Sequence, residues 1–307
     1  MKVALIGGTG FVGSYLVDEL IAQDHQPVLL VRPGSELKVQ QSDRCTLVPG
    51  DAKDSESIRR TLDGCDAAIY NVGLLREFKS KGITFDELHY QAARRTIDSA
   101  SALAVRRFIL MSANGVKPDG TDYQRTKYLA EQHLQATDLD FTVFRPSVIF
   151  GEPRGRMEFC TQLREEMIKL PLPAPLFFEG LLPVNAGTFM MSPIHVKDVA
   201  RLFVKSLDVP ETFGKTFVLC GPQTFTWKGI IRIIARASRR SKMMVPVPAF
   251  YVRIMTALFD RFEFFPITRD QLTMLLEGNT GDSRDIFAQL GVEPTPFSAE
   301  TLTYLRS

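Results

Sequence analysis

The first 150 residues alternate between two apolar patterns. Residues 3–6 form an unbroken apolar run, as expected of a strand buried on both faces of a parallel sheet. Over 11–22, Phe11, Val12, Leu16, Leu20 and Ile21 then recur at helical spacing. Short continuous runs return at 28–31, 46–48, 67–70, 108–111 and 141–144, most of them separated by helical stretches near 55–62, 84–103 and 123–136. Strands alternating with helices predict right-handed βαβ units, and so an α/β protein built on a doubly wound parallel sheet.

Beyond residue 150 the pattern changes. Pro171, Pro173, Pro175 and Pro183 fall close together and read as punctuation that prevents long regular elements, giving a loop around a pocket or a linker. A strand-like run at 216–219 follows, then mainly helical sequence. The expected organisation is a sheet domain of residues 1–150 plus 191–220, interleaved with a smaller, mainly helical C-terminal lobe of residues 151–190 plus 221–307 that serves a substrate or a partner.

Composition narrows the class without altering this outline. The 307 residues are 45% hydrophobic and 23% charged, the balance of a folded globular protein. Net charge is only +2, so no overall field recruits nucleic acid, and none is expected as a partner. Cys45, Cys65, Cys160 and Cys220 contain no CxxC pair, and His25, His89, His133 and His195 no HxxxH spacing. Reduced thiols and no metal site are expected. The opening apolar stretch is too short for a signal peptide, and no run reaches the roughly 18 apolar residues of a membrane span. The expected location is the cytoplasm or another reducing compartment, with a peripheral place at a membrane left open.

The main chemical signal lies between the first strand and the first helix, in Gly7-Gly8-Thr9-Gly10-Phe11-Val12-Gly13. Gly7, Gly10 and Gly13 allow a tight turn, a close backbone approach to a pyrophosphate and close helix-on-strand packing, as in a Rossmann nucleotide site. The phosphate would sit at the helix N-terminus, against free N–H groups and the helix dipole. An acid about 20 residues further on would bind a ribose 2′-hydroxyl. Here the second strand ends in Arg32 instead, and a guanidinium suits a 2′-phosphate, which favours NADP(H) over NAD(H). After the third strand, Asp51-Ala52 either meets the adenine or caps the helix near Ser55. Asn71-Val72-Gly73 follows the fourth strand, at the edge where such sheets bind ligands.

Tyr123 and Lys127 stand one helical turn apart, shortly after the fifth strand. A neighbouring cation favours phenolate, so Tyr123 is suited to proton exchange with a carbonyl or hydroxyl while Lys127 grips ribose. Ser112 offers a hydroxyl after the fifth strand.

These motifs, together with Arg145-Pro146-Ser147-Val148-Ile149-Phe150-Gly151, resemble the extended and atypical branch of the short-chain dehydrogenase/reductase superfamily. Within that branch the chain is similar to the group of 39 kDa NADPH-binding accessory subunits of respiratory complex I and their bacterial relatives, as seen in residues 192–200, 218–222 and 267–270. The resemblance covers nearly the whole chain. It implies that Thr9, Gly10, Phe11 and Val12 contact phosphate, Arg32 the 2′-phosphate, Lys127 the ribose, and Pro146 the neighbourhood of the nicotinamide. The resemblance also implies a Ser or Thr after the fifth strand that hydrogen-bonds the substrate oxygen, and here Ala113 stands in that register with Ser112 just before it. Only ten residues separate Ser112 from Tyr123, a shorter connection than in sugar-nucleotide enzymes of that branch, which weighs against an epimerase or dehydratase.

One stretch departs from the neutral average. Residues 222–245 contain no acid but include Lys228, Arg232, Arg236, Arg239, Arg240 and Lys242. Arg232, Arg236, Arg239 and Arg240 are expected on one helical face opposite Ile230, Ile234 and Ala237. An aromatic-rich segment with Phe250, Tyr251, Phe259, Phe262, Phe264 and Phe265 follows, so residues 222–265 suit a membrane surface or a protein complex, or simply cover the lobe's core. Three functions are consistent with the sequence: an NADP(H)-dependent reductase of unknown small-molecule substrate, a cofactor-bound accessory or assembly protein of a membrane respiratory complex, and a sugar-nucleotide epimerase or dehydratase.

Overall fold

The seven short apolar runs become the strands of one sheet. In a computed structural model, which describes residues 1–259 and 267–306, these are β1 (Lys2–Ile6), β2 (Gln26–Val31), β3 (Thr46–Pro49), β4 (Ala67–Tyr70), β5 (Arg107–Met111), β6 (Asp140–Pro146) and β11 (Lys215–Leu219). Their order is β11-β6-β5-β4-β1-β2-β3, and every neighbouring pair is parallel. The expected doubly wound α/β fold is therefore present. Helices α2 (Ser55–Leu62), α3 (Ala92–Ala102) and α4 (Asp122–Gln135) cover one face, where Ile58, Ile97 and Leu134 pack against Ala4, Tyr70 and Phe108. On the other face α1 (Phe11–Ala22) lies beside α6 (Val196–Lys205), whose Phe203 meets Phe144 at 4.6 Å. Coverage on both sides explains why β1, β4 and β5 are almost uniformly apolar.

Strand order reverses around β1, which pairs with β2 on one side (Ile6 opposite Leu30) and β4 on the other (Ile6 opposite Tyr70). Gly7 and Asn71 thus leave the sheet side by side, and Asn71 N–H donates to Ile6 O at 2.8 Å. Open α/β sheets bind ligands outside the carboxyl ends of their strands at such a reversal.

The chain divides into two units. The sheet unit comprises Met1–Pro146, Val196–Leu219 and Ser283–Glu293, the second unit Ser147–His195, Cys220–Asp282 and Pro294–Ser307. The expectation that all of 221–307 belongs to the smaller lobe needs correcting at Ser283–Glu293, which carries α10 (Arg284–Gln289). Ser283 Oγ donates to Val218 O at 2.7 Å, and Lys205 Nζ donates to Leu290 O at 2.9 Å, which fixes this segment to the sheet unit.

The second unit is built around Phe150, Cys160, Ile168, Trp227, Ile230, Ile234, Phe297 and Leu302. Among the described residues it holds three two-stranded ladders: β7 (Ile149–Phe150) with β10 (Ile194–His195), β8 (Ala174–Phe178) with β13 (Met244–Pro248), and β9 (Met190–Met191) with β12 (Phe225–Thr226). Its helices are α5 (Phe159–Leu163), α7 (Trp227–Ala237), α8 (Ala249–Phe259) and α9 (Arg269–Glu277). The proline-rich stretch is not wholly loop, because Pro175 lies inside β8. Strands with a single neighbour tolerate proline where the missing N–H faces outward.

Arg107 secures the sheet unit at the amino edge of β5. Its buried guanidinium donates to Asp140 O (2.7 Å), Ser206 O (2.8 Å), Leu207 O (3.3 Å), Thr142 Oγ1 (2.8 Å) and Thr212 Oγ1 (3.3 Å), with the Phe213 ring 4.3 Å away. Burial pulls the guanidinium down to about 10, with Asp140 and Asp208 opposing the shift. Arg107→Leu leaves several buried carbonyls without donors, and urea unfolding is expected to show a loss of about 3 kcal/mol.

Candidate functional site

The glycine loop is shaped by three close approaches. Gly7 has φ +102°, and a Cβ there would lie 2.7 Å from Asn71 O. A Cβ on Gly13 would sit 2.1 Å from Gly7 O, so α1 meets the loop at a distance only glycine allows. Gly10 is exposed and caps α1 without a side-chain hydrogen bond, and the first turn carries no acid. The N–H groups of Phe11, Val12 and Gly13 in that turn form an anion-binding end, with half-buried Thr9 on the loop before it.

Arg32 leaves β2 in a turn closed by Ser35 N–H on Arg32 O at 2.9 Å, with Gly34 at φ +84°, and its side chain is exposed. Gly50 packs so closely on α2 that a Cβ would lie 2.2 Å from Ser57 Oγ. Of the two roles open to Asp51, the cap belongs to Asp54, which accepts from Glu56 N–H (3.2 Å) and Ser57 N–H (3.0 Å). Asp51 is half-buried and accepts from Lys53 N–H at 2.9 Å, and Ala52 rests against the sheet core.

Along the same edge, Asn71, Val72 and Gly73 follow β4 and Ser112 follows β5. Asn71 is buried, and its Nδ2 donates to Gly7 O at 3.4 Å. Asn71 Oδ1 and Ser112 Oγ are buried and have no hydrogen-bond partner among the described residues. A buried oxygen without a partner is costly unless a ligand satisfies it. Ala113 beside Ser112 is buried and apolar, and Pro146 closes β6 with its carbonyl accepting from Asn114 N–H at 2.9 Å.

Lys127 is 5% exposed, and its Nζ donates to Met111 O at 3.0 Å, one residue before Ser112. Burial pulls the ammonium down to about 8, with Glu131 one turn further along opposing the shift. Glu131 is fully buried and held by Arg145 Nε at 2.9 Å and Nη2 at 2.5 Å.

Tyr123 lies in the first turn of α4, which Thr121 and Gln124 close reciprocally. Its ring packs edge-on against Phe85 at 5.6 Å and His89 at 5.1 Å. Lys127 Nζ lies 5.9 Å from the ring centre and is committed to Met111 O. Burial pushes the Tyr123 phenol up to about 12, so at neutral pH the group here is a phenol and not the phenolate that the spacing suggested. No signal in the sequence assigned His89, Glu131 or Arg145 a role in this site. His89 carried no metal spacing, and the ion pair joins positions 14 apart on different elements.

The basic stretch divides in two. Lys228, Arg232 and Arg236 are exposed on α7, opposite the buried Trp227, Ile230, Ile231 and Ile234. The helix ends at Ala237, where Arg239 takes a left-handed φ of +54° and Arg240 N–H donates to Ala235 O at 2.9 Å. This wrap removes Arg239 and Arg240 from the helical face on which they were expected. Phe250, Tyr251 and Ile254 on α8 are each about half exposed. Phe262, Phe264 and Phe265 lie outside the described residues, as does the side chain of Phe259. Among the described residues no helix is long and apolar enough to cross a membrane.

These residues fit a nicotinamide dinucleotide: a glycine cradle for phosphate, an exposed cation at the end of β2, and partnerless buried oxygens further along the edge. The chain is 25% identical over 98% of its length to the mitochondrial NADH dehydrogenase [ubiquinone] 1 alpha subcomplex subunit 9 of Mus musculus, covering 79% of that protein. It is 26% identical over 89% of its length to photosystem II assembly factor Ycf39 of Trieres chinensis, covering 80% of it. The Bordetella bronchiseptica enzyme WbmH, solved in complex with NAD+, shares the fold with a TM-score of 0.75 at 15% identity, over 99% of this chain and 96% of that one. The NAD(P)H-binding family matches residues 7–168, more than half of the chain, and the protein belongs to that family as an atypical short-chain dehydrogenase/reductase that binds a nicotinamide dinucleotide.

Proposed function

We propose that the protein is an NADP(H)-dependent reductase of a carbonyl substrate, with Tyr123 as proton donor. The observation that carries this reading is the Ser112 hydroxyl, which is buried without a partner one residue beyond the carbonyl that holds Lys127. A hydroxyl in that state is ready to donate to a substrate oxygen. Tyr123, kept as a phenol by burial, has the proton that a reduced carbonyl oxygen takes up.

In this reading Gly7, Gly10 and Gly13, with Thr9, Phe11 and Val12, hold the pyrophosphate. Arg32 meets the 2′-phosphate, Asp51 and Ala52 border the adenine, and Asn71, Val72 and Gly73 line the path toward Pro146. Lys127 binds the ribose. When bound, the dinucleotide supplies or accepts a hydride, and the chain's own part is to orient the substrate and deliver a proton. The four cysteines, buried or half-buried thiols, suit a reducing compartment such as the cytoplasm.

A second reading, a cofactor-bound accessory protein at a membrane complex, draws on the exposed cations of α7 and on Phe250, Tyr251 and Ile254. In that role residues 222–265 would carry the docking surface, and Tyr123 would perform no chemistry.

Calorimetry is expected to show NADPH binding at least about tenfold tighter than NADH, the worth of one charge-assisted contact, and Arg32→Ala to erase the difference. Equal affinities in the unaltered protein would remove the NADP(H) assignment. With NADPH and a panel of carbonyl compounds, Tyr123→Phe is expected to lower kcat by about 10²-fold or more while NADPH affinity stays level. Turnover that ignores the substitution, or no turnover with any carbonyl, would give the site to the accessory reading.

A further inference from the structure

Three groups around Tyr123 converge on one imidazole. His89 lies in a π-helical stretch, Asp86–Gln91, that leads into α3, and it is 2% exposed. Such turns are uncommon and often sit at functional sites. Its Nε2 accepts from Leu74 N–H at 3.0 Å, in the segment that continues from Asn71-Val72-Gly73. On a neutral ring this places the proton on Nδ1, which faces Thr126 Oγ1 at 3.4 Å. Thr126 uses its own proton on Asp122 O at 2.8 Å, so its oxygen can accept from the imidazole. One face of the ring stacks on Phe85 at 5.2 Å, and the ring meets Tyr123 edge-on at 5.1 Å.

We propose that His89 is a positioning residue of this site: its neutral ring locks the Tyr123 ring on α4 and the Leu74 backbone after β4 into one fixed arrangement. The proposal rests on the reading of Tyr123 as proton donor. Phe85 alone walls Tyr123 but offers Leu74 N–H nothing, whereas the imidazole does both. Burial, and after it the Lys127 ammonium, hold His89 well below the usual imidazole range. The other charged groups near it are engaged elsewhere. On α4, Asp122 pairs with Arg125 at 3.1 Å, on the π-helical stretch Glu87 pairs with Arg95, and ahead of it Glu77 accepts from Phe85 N–H at 2.8 Å. Protonation turns Nε2 from an acceptor into a second donor facing Leu74 N–H, so acid opens this latch.

Two variants of the full chain separate the ring from its hydrogen bond. His89→Phe keeps the stack and removes the acceptor, while His89→Gln keeps an acceptor without the imidazole. Amide hydrogen exchange is expected to show Leu74 protection falling about tenfold or more in His89→Phe, the worth of one hydrogen bond, with the β4 amides unchanged. In the same variant kcat for carbonyl reduction falls by a similar factor, NADPH affinity stays within about threefold, and His89→Gln recovers most of both losses. In the unaltered protein the Leu74 protection factor stays level through the usual imidazole range and drops only in acid below it, and in His89→Gln it shows no such drop. Leu74 protection untouched in His89→Phe, a protection factor in the unaltered protein that already drops within the usual imidazole range, or His89→Gln no better than His89→Phe would each overturn the proposal. If no carbonyl is reduced at all, the proton-donor reading fails by itself. Leu74 protection and the Tyr123 ring resonances then still decide whether His89 holds the two elements together.

Discussion

The backbone contact between Gly7 and Asn71 governs the geometry of the whole nucleotide edge. β1 and β4 are neighbours although sixty residues of chain run between them, and Asn71 N–H completes their ladder on Ile6 O. The Asn71 carbonyl then comes so near Gly7 that no side chain fits, and Gly7 O in turn sits where a Cβ of Gly13 would be. The first turn of α1 is thereby drawn against the ends of the strands, and its N–H groups and positive end face the edge that carries Asn71, Ser112 and Lys127. A methyl group at either glycine would push apart the phosphate cradle and the strand end together.

Two buried cations illustrate how differently the sheet unit treats charge. Arg107 is surrounded by carbonyls and hydroxyls that fill its fork, a static arrangement at the edge away from the glycine loop. Lys127 holds one backbone carbonyl, and the carboxylate nearest to it along α4, Glu131, is already gripped by Arg145. An ammonium has three donors, of which Met111 O takes one. The Glu131–Arg145 pair thus keeps a carboxylate in the core without letting it capture the lysine.

The parallel sheet was legible because strands covered on both faces are written as unbroken apolar runs, and the glycine loop because its spacing is a steric requirement. Ser112, Tyr123 and Lys127 were legible as residue types. What the sequence did not carry was their state: that Ser112 Oγ has no partner, or that burial and not a neighbouring cation dominates Tyr123, depends on elements far away in the chain. His89 was hidden for the same reason, since its partners at Leu74 and Thr126 lie on either side of it in sequence and on different elements. The place of Ser283–Glu293 was missed because what ties it to the sheet unit, the Ser283 hydroxyl on Val218, Lys205 on Leu290 and the burial of Ile286 and Phe287, joins positions far apart in the chain. Arg239 was misplaced because a helical count cannot see a left-handed residue that ends the helix.

The proline-bearing ladder of β8 and β13 has a consequence for the company the second unit keeps. Ala174 N–H points at Met243 O, so the next position, Pro175, turns its ring nitrogen to the outside, and the register puts Pro246 and Pro248 on alternate positions of β13. Pro175 therefore takes one donor from the outer edge of β8, and Pro246 and Pro248 take two from that of β13. A strand borrowed from a neighbour thus finds fewer backbone donors on this ladder than a proline-free edge would offer.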